Sequence, residues 1–272
     1  MKWSRVKTVL IVLMFAVNVF LFGMYASKSA EHSENEQQVR REVCSVLGKL
    51  GYELPINILP ADSQIYYPAR VTRSVKSERG IMSAALEQTR VENSVGVTTY
   101  KGEKGEITLR GGGYVDAKLI VSSKENAKED AADIMREKLK AIRVELFFVK
   151  EQEGVTQGIC AVSGRPVFNC RVEGKTEDGV LLLTGRIPTG DVSFIQNIKP
   201  YAVSGLMLDF AQHMKSLGID GGKIERIEPG YAVNSPTEFE SGVTELVPVW
   251  NIRMNGQDWY VNALTGKVET LE

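Results

Sequence analysis

Residues Thr8 to Ala26 read TVLIVLMFAVNVFLFGMYA, a run without a charge and with Asn18 among its few polar side chains. A helix rises about 1.5 Å per residue, so about 19 residues cover close to 30 Å, the thickness of a bilayer's hydrocarbon core. The run predicts a transmembrane helix over 8–26. Lys2, Arg5 and Lys7 are the only charges before it. Residues 1–7 then form a cytoplasmic tip by the positive-inside rule, and the main body lies outside the cell membrane. Trp3 and Tyr25 stand near the two ends, where amphipathic rings favour the water–lipid interface. The rival reading is a cleaved signal peptide ending at Ser27-Lys28-Ser29. Its apolar core is usually about 7–15 residues, shorter than this run. No Cys follows to take a lipid anchor, and either reading exports the bulk of the chain.

Beyond the run, about 245 residues remain, enough for one large domain or two ordinary ones. A hydrophobic content of 43% with 25% charged residues is that of a folded protein, not a disordered one. Net charge is -1, of which Lys2, Arg5 and Lys7 contribute +3, leaving -4 on residues 8–272. That balance gives no reason to expect nucleic acid or a polybasic membrane-surface patch.

Working outward from the anchor, Glu31 to Leu50 predicts a helix leaving the membrane. Val39, Val43, Val46, Leu47 and Leu50 form its stripe, and Gly51 is its stop. Pro55, Pro60 and Pro68 among Ile56, Ile58, Ile65 and Tyr66 suit short edge strands and turns. Strands are expected at 95–100, 106–110 and 114–121. The intervening Gly111-Gly112-Gly113 invites a phosphate-loop reading, but a strand follows instead of a helix and no Lys is placed for phosphates. A bulge or turn fits better. A second helix is expected over 124–143, with Ala131, Ile134, Leu139 and Ile142 on its apolar face. Strands follow at 144–149, 155–162, 167–172 and 179–187, then a third helix over 200–217. The last strands, 224–233, 246–254 and 258–263, include a hairpin turned at Asn255-Gly256, a favoured type I′ pair. The fold class is α+β: a transmembrane helix, then two extracytoplasmic domains, 31–122 and 123–272, each a helix packed on an antiparallel sheet.

Cys44 is expected in the core. Cys160 and Cys170 flank two short strand candidates around Ser163-Gly164-Arg165-Pro166. They can face each other across a hairpin as a disulfide, or serve as two small buried apolar residues. His32 and His213 are the only histidines and are far apart, no Gly-x-Ser-x-Gly elbow occurs, and no ligand spacing for zinc is present. Neither catalysis nor a metal or cofactor is expected.

The opening Lys2-Trp3-Ser4-Arg5-Val6-Lys7-Thr8, with Asn18-Val19-Phe20-Leu21 late in the span, resembles the start of YycI-type two-component regulatory proteins. The tail Pro248-Val249-Trp250-Asn251-Ile252, Asn255-Gly256 and Tyr260-Val261-Asn262-Ala263-Leu264-Thr265-Gly266-Lys267-Val268 is similar to PepSY-like hairpins, a feature of that family's extracellular domains. Asn262 stands where such hairpins often carry Asp. The resemblance implies a single-pass regulator of a membrane sensor histidine kinase controlling cell-wall homeostasis. It also implies action beside a YycH-type sister protein, with contact largely through transmembrane helices. Asn18 offers one polar side chain at depth, for a partner or for its own helix backbone, and Ala16 and Gly23 offer small surfaces. The alternative is an exported PepSY-like protein-binding or protease-inhibitory module, since such hairpins also occur in peptidase propeptides.

Overall fold

The computed structural model describes residues 3–64, 66–121, 130–234, 243–269 and 271, without the side chains of 3–13, 16, 23, 25–33 and 75. Its first element, α1 (Trp3–Lys49), is one uninterrupted helix of 47 residues, about 70 Å long. It takes in the 8–26 run, residues 27–30 and, as far as Lys49, the helix expected over 31–50. From Met24 to Leu47 the chain holds no Gly or Pro, and its polar stretch is rich in Glu, Gln and Arg, good helix formers. The change from apolar to charged composition leaves the backbone course unbroken. Gly51, at φ 91°, ends the helical course. Among the described residues no helix is long and apolar enough to cross a membrane; of the 8–26 run, the side chains of 8–13, 16, 23, 25 and 26 lie outside the description.

After α1 come β1 (Tyr52–Glu53), β2 (Ala69–Thr72) and α2 (Val75–Leu86). Next are β3 (Arg90–Ser94), β4 (Val97–Gly102), β5 (Gly105–Arg110), a 3-10 turn at Gly111–Gly113, β6 (Tyr114–Ile120) and α3 (Ala131–Ala141). The chain continues through β7 (Glu145–Gln152), β8 (Val155–Val162), β9 (Arg165–Glu177), β10 (Val180–Arg186), β11 (Asp191–Phe194) and α4 (Val203–Ser216). It closes with β12 (Gly222–Val233), β13 (Val243–Met254), β14 (Gln257–Asn262) and β15 (Val268–Glu269). The class is α+β: few helices on one large, mainly antiparallel sheet whose main path runs β11-β2-β13-β12-β9-β10-β6-β5-β4-β3.

Two halves of that sheet meet where β9 and β12 pair in parallel at Val167 and Tyr231. The Asn169 amide stitches the same seam, donating to the Val233 carbonyl at 3.0 Å and accepting from its N–H at 2.8 Å. On one side, α2 and α3 cover β4–β6 and β8–β10, burying Met82, Leu86, Tyr100, Ile107, Met135 and Leu181. On the other, α4 and the C-terminal end of α1 cover β12–β14, burying Leu47, Tyr52, Phe210, Met214, Ile224 and Ile252. The domain boundary expected at 122/123 lies outside the described residues.

The glycine triplet is a turn leading into a strand, as expected. Gly112 and Gly113 take positive φ, and their carbonyls accept from Arg186 Nε and the Ile187 N–H. The Asn255-Gly256 turn has positive φ at both residues, the type I′ signature. Asn262 is buried, and its Oδ1 accepts from the N–H groups of Leu264 and Thr265 while its Nδ2 donates to Glu269 at 2.7 Å. An aspartate could accept the first two bonds but would face Glu269 with a like charge, which accounts for Asn here.

α2 was not anticipated from the sequence. Gly80 in its interior and only modest amphipathicity weaken the local signal. Tertiary packing forms it: Met82 and Leu86 enter the first core, and Ser74 caps its start by accepting from the Ser77 N–H.

Candidate functional site

The site that ties α1 to the body is the junction of α1 with the segment between β1 and β2. Val43 and Leu47 are buried against α4 and Tyr52, each contributing about 2 kcal/mol by leaving water. One turn earlier, Arg40 reaches out of the stripe and donates through Nη2 to the carbonyls of Ile56, at 2.7 Å, and Leu59. A further turn back, Glu36 accepts from the Ser63 N–H at 2.8 Å. The 54–64 segment is thereby clasped to three successive turns of α1.

The same segment holds α4. Asp62 accepts from the Ser204 N–H at 2.9 Å and from the Ser204 hydroxyl, capping from a distance a helix whose own N-cap, Ala202, has no side-chain bond to give. Tyr52 adds a third tie, its hydroxyl donating to the Ile219 carbonyl just past the helix. Burial pushes the Tyr52 phenol up, and nearby Asp220 adds to this. One short loop therefore fixes the direction of α1 relative to the body.

Between these parts lies a cavity of about 350 Å³, walled by Glu36 and Val39 of α1, Asp62, Tyr66, Tyr201 and Trp250. Tyr66 stands edge-on to Trp250 with centroids 5.6 Å apart, and the Arg165 guanidinium lies 4.6 Å over the Tyr66 ring. Glu36 and Asp62 are already engaged in the clasp, Glu36 also accepting from the Ser63 hydroxyl at 3.4 Å. Among the described residues no cluster of His, Cys, Asp or Glu could hold a metal ion.

Of the residues expected to touch a transmembrane partner, Asn18 lies exposed on α1, while the side chains of Ala16 and Gly23 lie outside the described residues. Around Asn18, Met14, Phe15, Val19, Phe20, Leu21 and Phe22 are all exposed, Phe22 by 73%. Cys160 and Cys170 are both buried in the first core as free thiols, and Cys44 is only partly buried. The sequence reading missed Glu36, Arg40 and Asp62. Each is a charged residue whose partner lies between 16 and 142 positions away, so no local pattern announced it.

No family model matches the chain, and no curated protein matches it. Among solved structures, the Bacillus megaterium YpeB C-terminal domain is similar at a TM-score of 0.35 and 13% identity, over 74% of this chain and 99% of that one. A likeness of that degree bears on neither mechanism nor partners.

Proposed function

We propose that this chain is a non-enzymatic, single-pass membrane regulator of a sensor histidine kinase controlling cell-wall homeostasis. It acts through helix contacts in the bilayer with the kinase and a YycH-type sister regulator. The observation that carries the reading is the unbroken course of α1 from Trp3 to Lys49, clasped at its far end by Arg40 and Glu36. A helix joined to its body without a hinge transmits tilt or rotation from the body into the apolar segment. Exposed Phe15, Phe20 and Phe22 suit lipid, and Asn18 supplies a polar contact to a neighbouring helix. In the test, the full chain carrying Asn18→Leu is co-purified with the kinase from membranes. Recovery is expected to fall about threefold, the worth of one interhelical hydrogen bond; unchanged recovery and signalling would contradict the contact.

A second reading, an exported protein-binding or protease-inhibitory module, draws on β7. Among the described residues that strand pairs only with β8, and it exposes Phe147 and Phe148. An open edge of that kind can accept an extended peptide as an added strand. The two readings part on residues 1–30: inhibition or capture of a peptidase without them favours the module.

A further inference from the structure

The antiparallel ladder between β8 and β9 pairs Thr156 with Gly174, Gln157 with Glu173, Gly158 with Val172 and Ile159 with Arg171. The last regular rung is Ile159 with Arg171, and the register shifts between Ile159 and Ala161, which faces Pro166. Cys160 and Cys170 each stand one residue past that rung, at the irregularity itself, as free thiols. Side chains opposite each other in a ladder share a face. The face holding Thr156, Gly158, Cys160, Cys170, Val172 and Gly174 is buried at every position. Both thiols belong to the first core.

We infer that Cys160 and Cys170 form a cross-strand disulfide that locks β9 at the point where it leaves one half of the sheet for the other. Cα atoms across a regular rung lie about 4.5–5.5 Å apart, and the cysteines adjoin such a rung, Ile159 with Arg171, which keeps them near the span a disulfide bridges. The reaction is exchange with an organic disulfide. One cysteine thiolate attacks the oxidant's S–S bond and expels a thiolate. The second then attacks the resulting mixed disulfide, so the protein gives up two protons and two electrons and the oxidant leaves as two thiols. Burial pushes the Cys160 thiol far up and the Cys170 thiol up to about 12, against an opposing pull from Arg186. The packed pair is therefore unreactive, and the bond closes during folding. Met135 of α3 lies over neighbouring Gly158 and Gly174, on the same buried face as the two thiols. The chemistry is independent of location, whereas its occurrence in the cell rests on the export reading above.

The test is to refold the full chain carrying Cys44→Ser in detergent with a mixture of reduced and oxidised glutathione, then to measure the mass of the peptide spanning both cysteines. The expected product has lost two hydrogens, resists alkylation until reduced, and melts roughly 5 °C above the reduced form. Free thiols or glutathione adducts at Cys160 and Cys170 would overturn the proposal, and equal melting of the two forms would overturn the locking role. In protein taken from membranes with thiols blocked at lysis, an oxidised pair agrees with both proposals. A reduced pair there, after closure in the refolding arm, leaves the disulfide chemistry standing and counts against export.

Discussion

The two ends of α1 carry similar apolar side chains in opposite surroundings. Near its start, Phe15, Phe20 and Phe22 are between 66% and 73% exposed; near its finish, Val43 and Leu47 are buried at 7% and 0%. Backbone geometry is the same at both ends, so the difference lies in what the rest of the chain offers to cover them. The body supplies α4, Tyr52, Leu54 and Leu59 to the second end. At the first end the described protein supplies nothing, and a row of aromatic and aliphatic side chains facing water is costly. A lipid environment is the cover this account proposes.

Truncation should break that contrast most visibly. Leu47→Ala should cost the body about 3 kcal/mol in denaturant unfolding, through lost burial and the cavity left behind. Arg40→Met, which removes two bonds to the 54–64 segment while keeping the stem, should cost about 1–2 kcal/mol. The same substitution should loosen α1 from the body, seen as faster amide exchange over residues 34–47. A control far from α1 is Tyr100, whose hydroxyl donates to Glu78 at 2.5 Å while Arg73 forks onto the same carboxylate. Burial first, and the bond to Glu78 second, hold its phenol above the ordinary value of 10.0. Its contribution is therefore complete below about pH 10 and is lost as pH rises further. Tyr100→Phe should cost about 1 kcal/mol at neutral pH and flatten the alkaline limb of the stability curve. Phe22→Ala should leave the body's unfolding unchanged within about 0.5 kcal/mol. A loss as large as that of Leu47→Ala would mean that the first end packs on protein after all.

Legibility followed the range of the interactions. The terminal hairpin was readable because alternation and Asn255-Gly256 act within a few residues, and α4 because Leu206, Phe210 and Met214 repeat at helical spacing. The continuity of α1 through 27–30 is not written in the hydrophobic pattern, because Lys28 to Gln38 lacks an apolar stripe, yet the stretch contains no breaker. α2 was missed for the converse reason, since its stability comes from Met82 and Leu86 meeting strands further along the chain. Of the site, the docking stripe was visible in Val39, Val43 and Leu47. Arg40, Glu36 and Asp62 looked like any solvated charge, because their partners are set by the folded path of the 54–64 segment.

The central claim is that the start of α1 resides in lipid while the clasped body stands outside. Membranes containing the full chain can be stripped with alkaline carbonate, and intact cells treated with an external protease. The chain is expected to stay with the stripped membrane, with its N-terminus intact, and the protease to remove the body. A full-length chain released by carbonate, or a body protected from external protease, would contradict it.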